Sequence, residues 1–168
     1  GLGGGTFFFS FMLTQLNEYP TLARLGTLIG PAVVLAGSLL LILDLGSAGR
    51  ALQLWSKPAA LRTSWIIRGA WLQTGFIIFG LAYALPQFGA FAWLPWHASG
   101  GVGAAFGWLA VILALIVPVY PGVLLGVVRS IPAWNNAALP LLFLLSGLNA
   151  GIAILQLLAS GLSVTVAG

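Results

Sequence analysis

Two residues, Glu18 and Asp44, are all the carboxylates this 168-residue chain has for acid–base work. Asp44 sits in "LILDLGSAGR", closing the uncharged run 25–43. A carboxylate at the edge of so apolar a segment either relays protons or is held by a cation, and both readings stand at this point. The cation could be Arg50 or Arg68, and Arg68, in "TSWIIRGAW", flanks the same loop at similar depth. Pairing would limit the desolvation cost of both groups and favour the charged carboxylate. Tyr120, in "VPVYPGVLLG", lies about 13 Å along a helix from Arg129. Its phenol can donate either to a bound carbonyl compound or to a backbone carbonyl released by Pro118 or Pro121. Trp71, just after Gly69, could wall an aromatic ring site or simply pack against lipid. Gln73, Thr74, Asn149 and Gln156 read as hydrogen-bonding glue between helices. His97 is the single histidine and has no second ligand nearby, so a metal site is not expected. No phosphate loop, nucleophile–base arrangement or paired carboxylates appear, and the chain carries no self-contained active site.

The elements that must position these groups follow from composition. Hydrophobic residues make up 60% of the chain and charged ones 5%, where a soluble domain carries about 25% charged residues. Mean hydropathy is +1.09. Eight charges cannot cover a water-facing surface of this size, so the solvent is lipid. A crossing helix needs about 20 apolar residues, and four stretches qualify: 25–45, 64–85, 102–128 and 137–162. Residues 1–13 read as the second half of a further helix whose beginning lies outside the chain. The fold expected is an all-α, polytopic transmembrane bundle of four full spans plus a partial N-terminal helix, forming one domain over 1–168. Pro118 and Pro121 predict a kink or break near Tyr120. The patches "GLGGG", "GVGAAFG" and "SGLNAG" predict close helix packing.

Zero Cys and one His exclude a cluster held by this chain and a two-histidine haem within it. The excess of four positive charges is too small, and too dispersed, for a nucleic-acid surface. Arg50, Lys57, Arg62, Arg68 and Arg129 fall on one side of the spans and Arg24 on the other. The positive-inside rule puts the richer side in the cytoplasm; alternatively, the same cluster docks an acidic partner. Trp55, Trp65 and Trp134 at one end, and Trp93 and Trp96 at the other, read as interfacial anchors. In "SIPAWNN", Asn135 or Asn136 is placed to cap the helix that follows.

The order of four motifs carries more information than any one of them: "LDLG", then "TSWIIRGAW", then "VYPGVLL", then "RSIPAWN". This order resembles the NrfD/PsrC family, the quinone-interacting membrane subunits of polysulfide reductases and related molybdoenzyme complexes, over nearly the whole chain. The resemblance implies a haem-free bundle in an energy-transducing membrane that binds a quinone near one face. It also implies partners: a ferredoxin-like subunit with [4Fe–4S] clusters, a molybdopterin-type catalytic subunit and other membrane subunits. Electrons would pass directly between the quinone and the partner's cluster. Tyr120 and Asp44 become candidate quinone-binding residues together with Arg68 and Trp71. Asp44 becomes a proton-transfer candidate, and Arg50, Lys57, Arg62 and Arg129 become docking residues. Members of the family usually have eight or more helices, whereas this chain offers four and a half. Two rivals differ in kind: a purely structural anchor, indifferent to Asp44→Asn and Tyr120→Phe, and half of a transporter, which would move a substrate without a redox partner.

Overall fold

Backbone amides in hydrocarbon must find partners within their own segment, and apolar sequence in lipid therefore folds as helix. The computed structural model describes residues 1–44, 64–91, 93–127 and 138–167, and these form five α-helices. They are α1 (Leu2–Leu16), α2 (Pro20–Asp44), α3 (Trp65–Ala84), α4 (Gly101–Val127) and α5 (Leu139–Ala167). Two 3₁₀ turns, Leu85–Gln87 and Gly89–Phe91, follow α3. There is no strand among the described residues. α2 to α5 are long and apolar enough to cross a membrane, as the four apolar stretches require.

The reversal between α1 and α2 explains why both helices outrun the expected limits. Asn17 adopts a left-handed conformation (φ 55°), and the amides of Asn17 and Glu18 bond back to the carbonyls of Thr14 and Leu13 at 3.2 and 3.0 Å. That is a Schellman-type stop. Pro20 then opens α2, where its missing amide proton costs nothing.

α1 is the central helix, packed against α2, α4 and α5, while α3 lies against α2 and α4. The sequence "GLGGG" explains how one helix meets three neighbours so closely. Successive helical residues point about 100° apart, and Gly3, Gly4 and Gly5 face three different partners. A methyl group at Gly3 would run into the Gly30 carbonyl of α2, one at Gly4 into the Ala114 carbonyl of α4, and one at Gly5 into the Gly147 carbonyl of α5. Lipid tails provide no hydrophobic drive between helices, so association rests on this kind of backbone-close van der Waals packing.

Further along α1, Phe7 and Phe11 supply the bulk of the core. Phe7 meets Phe76 and Tyr83 edge-on, at 5.5 and 6.1 Å between ring centres, and Phe11 meets Tyr83 and Trp108 at 5.2 and 5.1 Å. Edge-to-face contacts of this kind add about 0.5–1.5 kcal/mol each beyond area burial. The buried hydroxyls Thr6 and Ser10 donate one turn back, to the Leu2 and Thr6 carbonyls. The outer surface is the reverse: Leu39, Leu40, Leu41, Leu43, Ile66 and Leu157 are exposed to the surroundings.

Of the expected kink or break near Tyr120, the break does not occur: α4 runs as one helix through both Pro118 and Pro121. A proline cannot bond the carbonyl four residues back, so Pro118 frees that of Ala114. The Gly4 backbone packs directly on that carbonyl, a placement suited to a weak Cα–H···O contact. A neighbouring helix thus covers the defect, as membrane helices allow.

Candidate functional site

Chain direction places Asp44, Trp65, Val127 and Leu139 at one end of the bundle, and Leu16, Pro20, Ala84 and Gly101 at the other. Contacts agree with this: Gly122 abuts Pro140, and Gly69 abuts Tyr120. At the first end, α1 to α4 line a half-open cavity of about 300 Å³. Its walls are mostly apolar, with Leu2, Val33, Val34, Leu72 and Val117 and the backbones of Gly3, Gly37 and Gly69. Two polar side chains line it, Gln73 and Tyr120.

Both are held in place. The Tyr120 ring packs against Gly69, where any side chain would collide with it, and its hydroxyl donates to the Trp65 carbonyl. Gln73 Nε2 donates to Ser38 Oγ on α2, and Ser38 in turn donates to the Val34 carbonyl at 2.7 Å. A primary amide has two N–H donors and an acceptor oxygen. Anchoring one N–H on Ser38 aims the group and leaves the rest available. The cavity therefore offers a hydrogen-bonding amide and a phenol within an apolar slot. It lies at the low end of the volume range of small-molecule sites, about 300–1,000 Å³, and suits a flat ring with polar substituents.

The structure brings together only part of the expected set. Tyr120 lines the cavity; Asp44, Arg68 and Trp71 do not. Asp44 ends α2 with its side chain exposed. The half-buried Arg68 lays its guanidinium over the Trp65 ring, 4.6 Å from the ring centre. No ion pair joins Arg68 to Asp44 among the described residues. Trp71 is 41% exposed and points outward. Arg50, Lys57, Arg62 and Arg129 lie outside the described residues, as do Trp55, Trp134, Asn135 and Asn136. Among the residues read as glue, Gln73 does link two helices, Thr74 donates to Ala70 of its own helix, and Asn149 and Gln156 are exposed on α5. Ser38 carried no sequence signal; its role becomes visible only when α2 and α3 are packed.

A larger cavity, about 840 Å³, opens at the opposite end between Thr14, Glu18, Arg24, Tyr83, Gln87 and His97, with Phe11 and Trp108 behind. Its charged rim residues are exposed. We regard it as a water-facing crevice, and the smaller slot, with its apolar walls and two fixed polar groups, as the better ring site. Size alone does not choose between them.

The model of the family described as "Polysulphide reductase, NrfD" matches residues 1–165. The chain belongs to the NrfD family. Proteins of this family are membrane subunits of oxidoreductase complexes that interact with quinones. With four helices among the described residues long and apolar enough to cross a membrane, this NrfD protein is an integral membrane protein. Among curated proteins, and among solved structures, nothing matches the chain.

Proposed function

We propose that this NrfD protein binds a quinone headgroup in the slot between Gln73 and Tyr120 and exchanges electrons with a docked subunit carrying [4Fe–4S] clusters, itself serving a molybdopterin-type catalytic subunit. The observation that carries this reading is the slot itself: an apolar ring site with one anchored amide and one phenol, at the end of the bundle where α2 ends at Asp44 and α3 begins at Trp65. A bound quinone supplies two-electron, two-proton chemistry. The chain's own residues bind and orient it. Gln73 offers its second N–H to one carbonyl, and Tyr120 turns its O–H from the Trp65 carbonyl toward the other. Val33, Val34, Leu72 and Val117 exclude water from the ring. Asp44, exposed at the end of α2, is a proton exchanger with the loop side. Arg50, Lys57, Arg62 and Arg129 attract the acidic face of the electron-transfer partner.

The test is to purify the complex in mild detergent, identify its other chains by mass spectrometry and extract bound quinone. A cysteine-rich iron–sulfur chain with stoichiometric quinone, lost in Gln73→Leu and Tyr120→Phe, is the result expected. An iron–sulfur partner without quinone, and indifference to both substitutions, would mark a structural anchor instead.

A further inference from the structure

Each proline of α4 denies a helical donor to the carbonyl four residues before it. The two released carbonyls meet different surroundings. That of Ala114, released by Pro118, is covered by the Gly4 backbone of α1. That of Val117 is released by Pro121, and both Val117 and Pro121 line the slot. This second gap in the hydrogen-bond ladder therefore lies in the slot wall. A carbonyl in apolar surroundings is costly unless a donor reaches it.

The fixed hydrogen bonds of the slot decide which ligand brings that donor. A carbonyl only accepts, so Tyr120 spends its proton on Trp65 and keeps its oxygen as an acceptor. Ser38 spends its proton on Val34 in the same way. Gln73 then gives Ser38 one N–H and retains the other, together with its acceptor Oε1. Counted with the Val117 carbonyl, acceptors outnumber donors in the slot. A quinone ring carries two carbonyls, which only accept. Its reduced form carries two hydroxyls, which donate.

We propose that the Val117 carbonyl accepts a hydroxyl of the reduced ring, so that the slot holds the quinol more tightly than the quinone. This rests on the quinone reading of the slot and adds the redox state that the slot selects. The quinol binds with Tyr120 still bonded to Trp65 and one hydroxyl on Val117. The quinone requires Tyr120 to turn its proton away from Trp65, and it leaves the Val117 carbonyl without a donor. Pro121 is then a specificity-determining residue through the amide proton that it lacks. Tighter binding of the reduced form raises the potential of the bound couple, by about 30 mV for each tenfold ratio of affinities in a two-electron couple.

The test is a redox titration of the purified complex loaded with a decyl-tailed benzoquinone and freed of excess by gel filtration. Bound quinone and quinol are extracted and quantified at each poised potential, and the midpoint is compared with that of the free couple in the same detergent. The bound couple is expected about 30 mV above the free one, a tenfold preference for the quinol. Pro121→Ala and Pro121→Gly each return an amide proton to the Val117 carbonyl and should cut the preference about threefold. Pro118→Ala, whose released carbonyl lies under Gly4, should keep the parent's preference. A bound couple level with or below the free one overturns the proposal while leaving the slot a quinone site. So does a parent-like midpoint in both Pro121 variants. A parent complex that retains no quinone overturns this proposal and the quinone reading together.

Discussion

At the scale of single residues, the site depends on side chains that are absent as much as on those present. Gly69 is the floor on which Tyr120 lies. Gly69→Ala must push the ring off α3 and break its bond to the Trp65 carbonyl, while leaving the phenol intact. We therefore expect Gly69→Ala to lower quinone-linked turnover about as much as Tyr120→Phe, roughly tenfold for one hydrogen bond lost to a neutral group. Steady-state turnover with a soluble quinol analogue, run on both variants, checks this. Full turnover in Gly69→Ala would show that the position of the ring is immaterial. The same scale shows why Tyr120 lines the slot while Asp44, Arg68 and Trp71 do not. Asp44 and Arg68 stand out as rare charges, and their depth can be counted from the helix ends. Which way each points around its helix is set by packing, and packing left Asp44 exposed and Arg68 over Trp65. Gln73 looks like any polar residue in a span until Ser38, 35 positions away, is seen to hold its amide.

At the scale of elements, prolines and glycines govern how the helices meet. Pro86 cannot bond the Ala82 carbonyl at the end of α3, and the indole of Trp96 donates to that carbonyl at 3.0 Å. Trp96 was legible as an interfacial residue, but its partner was not, because the two meet only after the chain doubles back through two 3₁₀ turns. Trp96→Phe keeps the ring contact with Phe106, 5.6 Å away, and leaves the carbonyl without a protein donor. It should destabilise the fold by about 1–2 kcal/mol, read as a lower melting temperature in detergent, and a melting temperature equal to the parent's would refute the assignment. The glycines of α1 make a sharper case. Their clustering announced close packing in the sequence, but three directions of approach from three consecutive residues required the fold. Gly5→Leu inserts a side chain where the Gly147 backbone already stands. Because the obstacle is backbone rather than a flexible side chain, the loss should exceed about 3 kcal/mol, the upper end for ordinary overpacking. Detergent melting and protease resistance of the variant measure it; a variant as stable as the parent would mean α1 and α5 are not in contact.

At the scale of the whole molecule, the two ends of the bundle differ. One end has the slot with Tyr120 and Gln73, and the other has the wide crevice rimmed by Glu18, Arg24 and His97. On the proposed function, orientation would decide from which compartment electrons arrive and protons are drawn. In the sequence, five of the six basic residues fall between the ends of α2 and α3 or of α4 and α5, or just inside α3, Arg24 being the exception. Positive loops are retained in the cytoplasm during insertion, and acidic residues weigh little in that choice. The slot should therefore face the cytoplasm. Two single-cysteine variants test it, Lys57→Cys in the loop at the slot end and Ser99→Cys in the exposed loop opposite. On intact spheroplasts a membrane-impermeant maleimide should label Ser99→Cys and spare Lys57→Cys, and permeabilisation should expose both. The reverse pattern would mean that the basic cluster is kept for its partner against the insertion rule. The iron–sulfur subunit would then dock outside the cytoplasm, and quinone protons would exchange with that side.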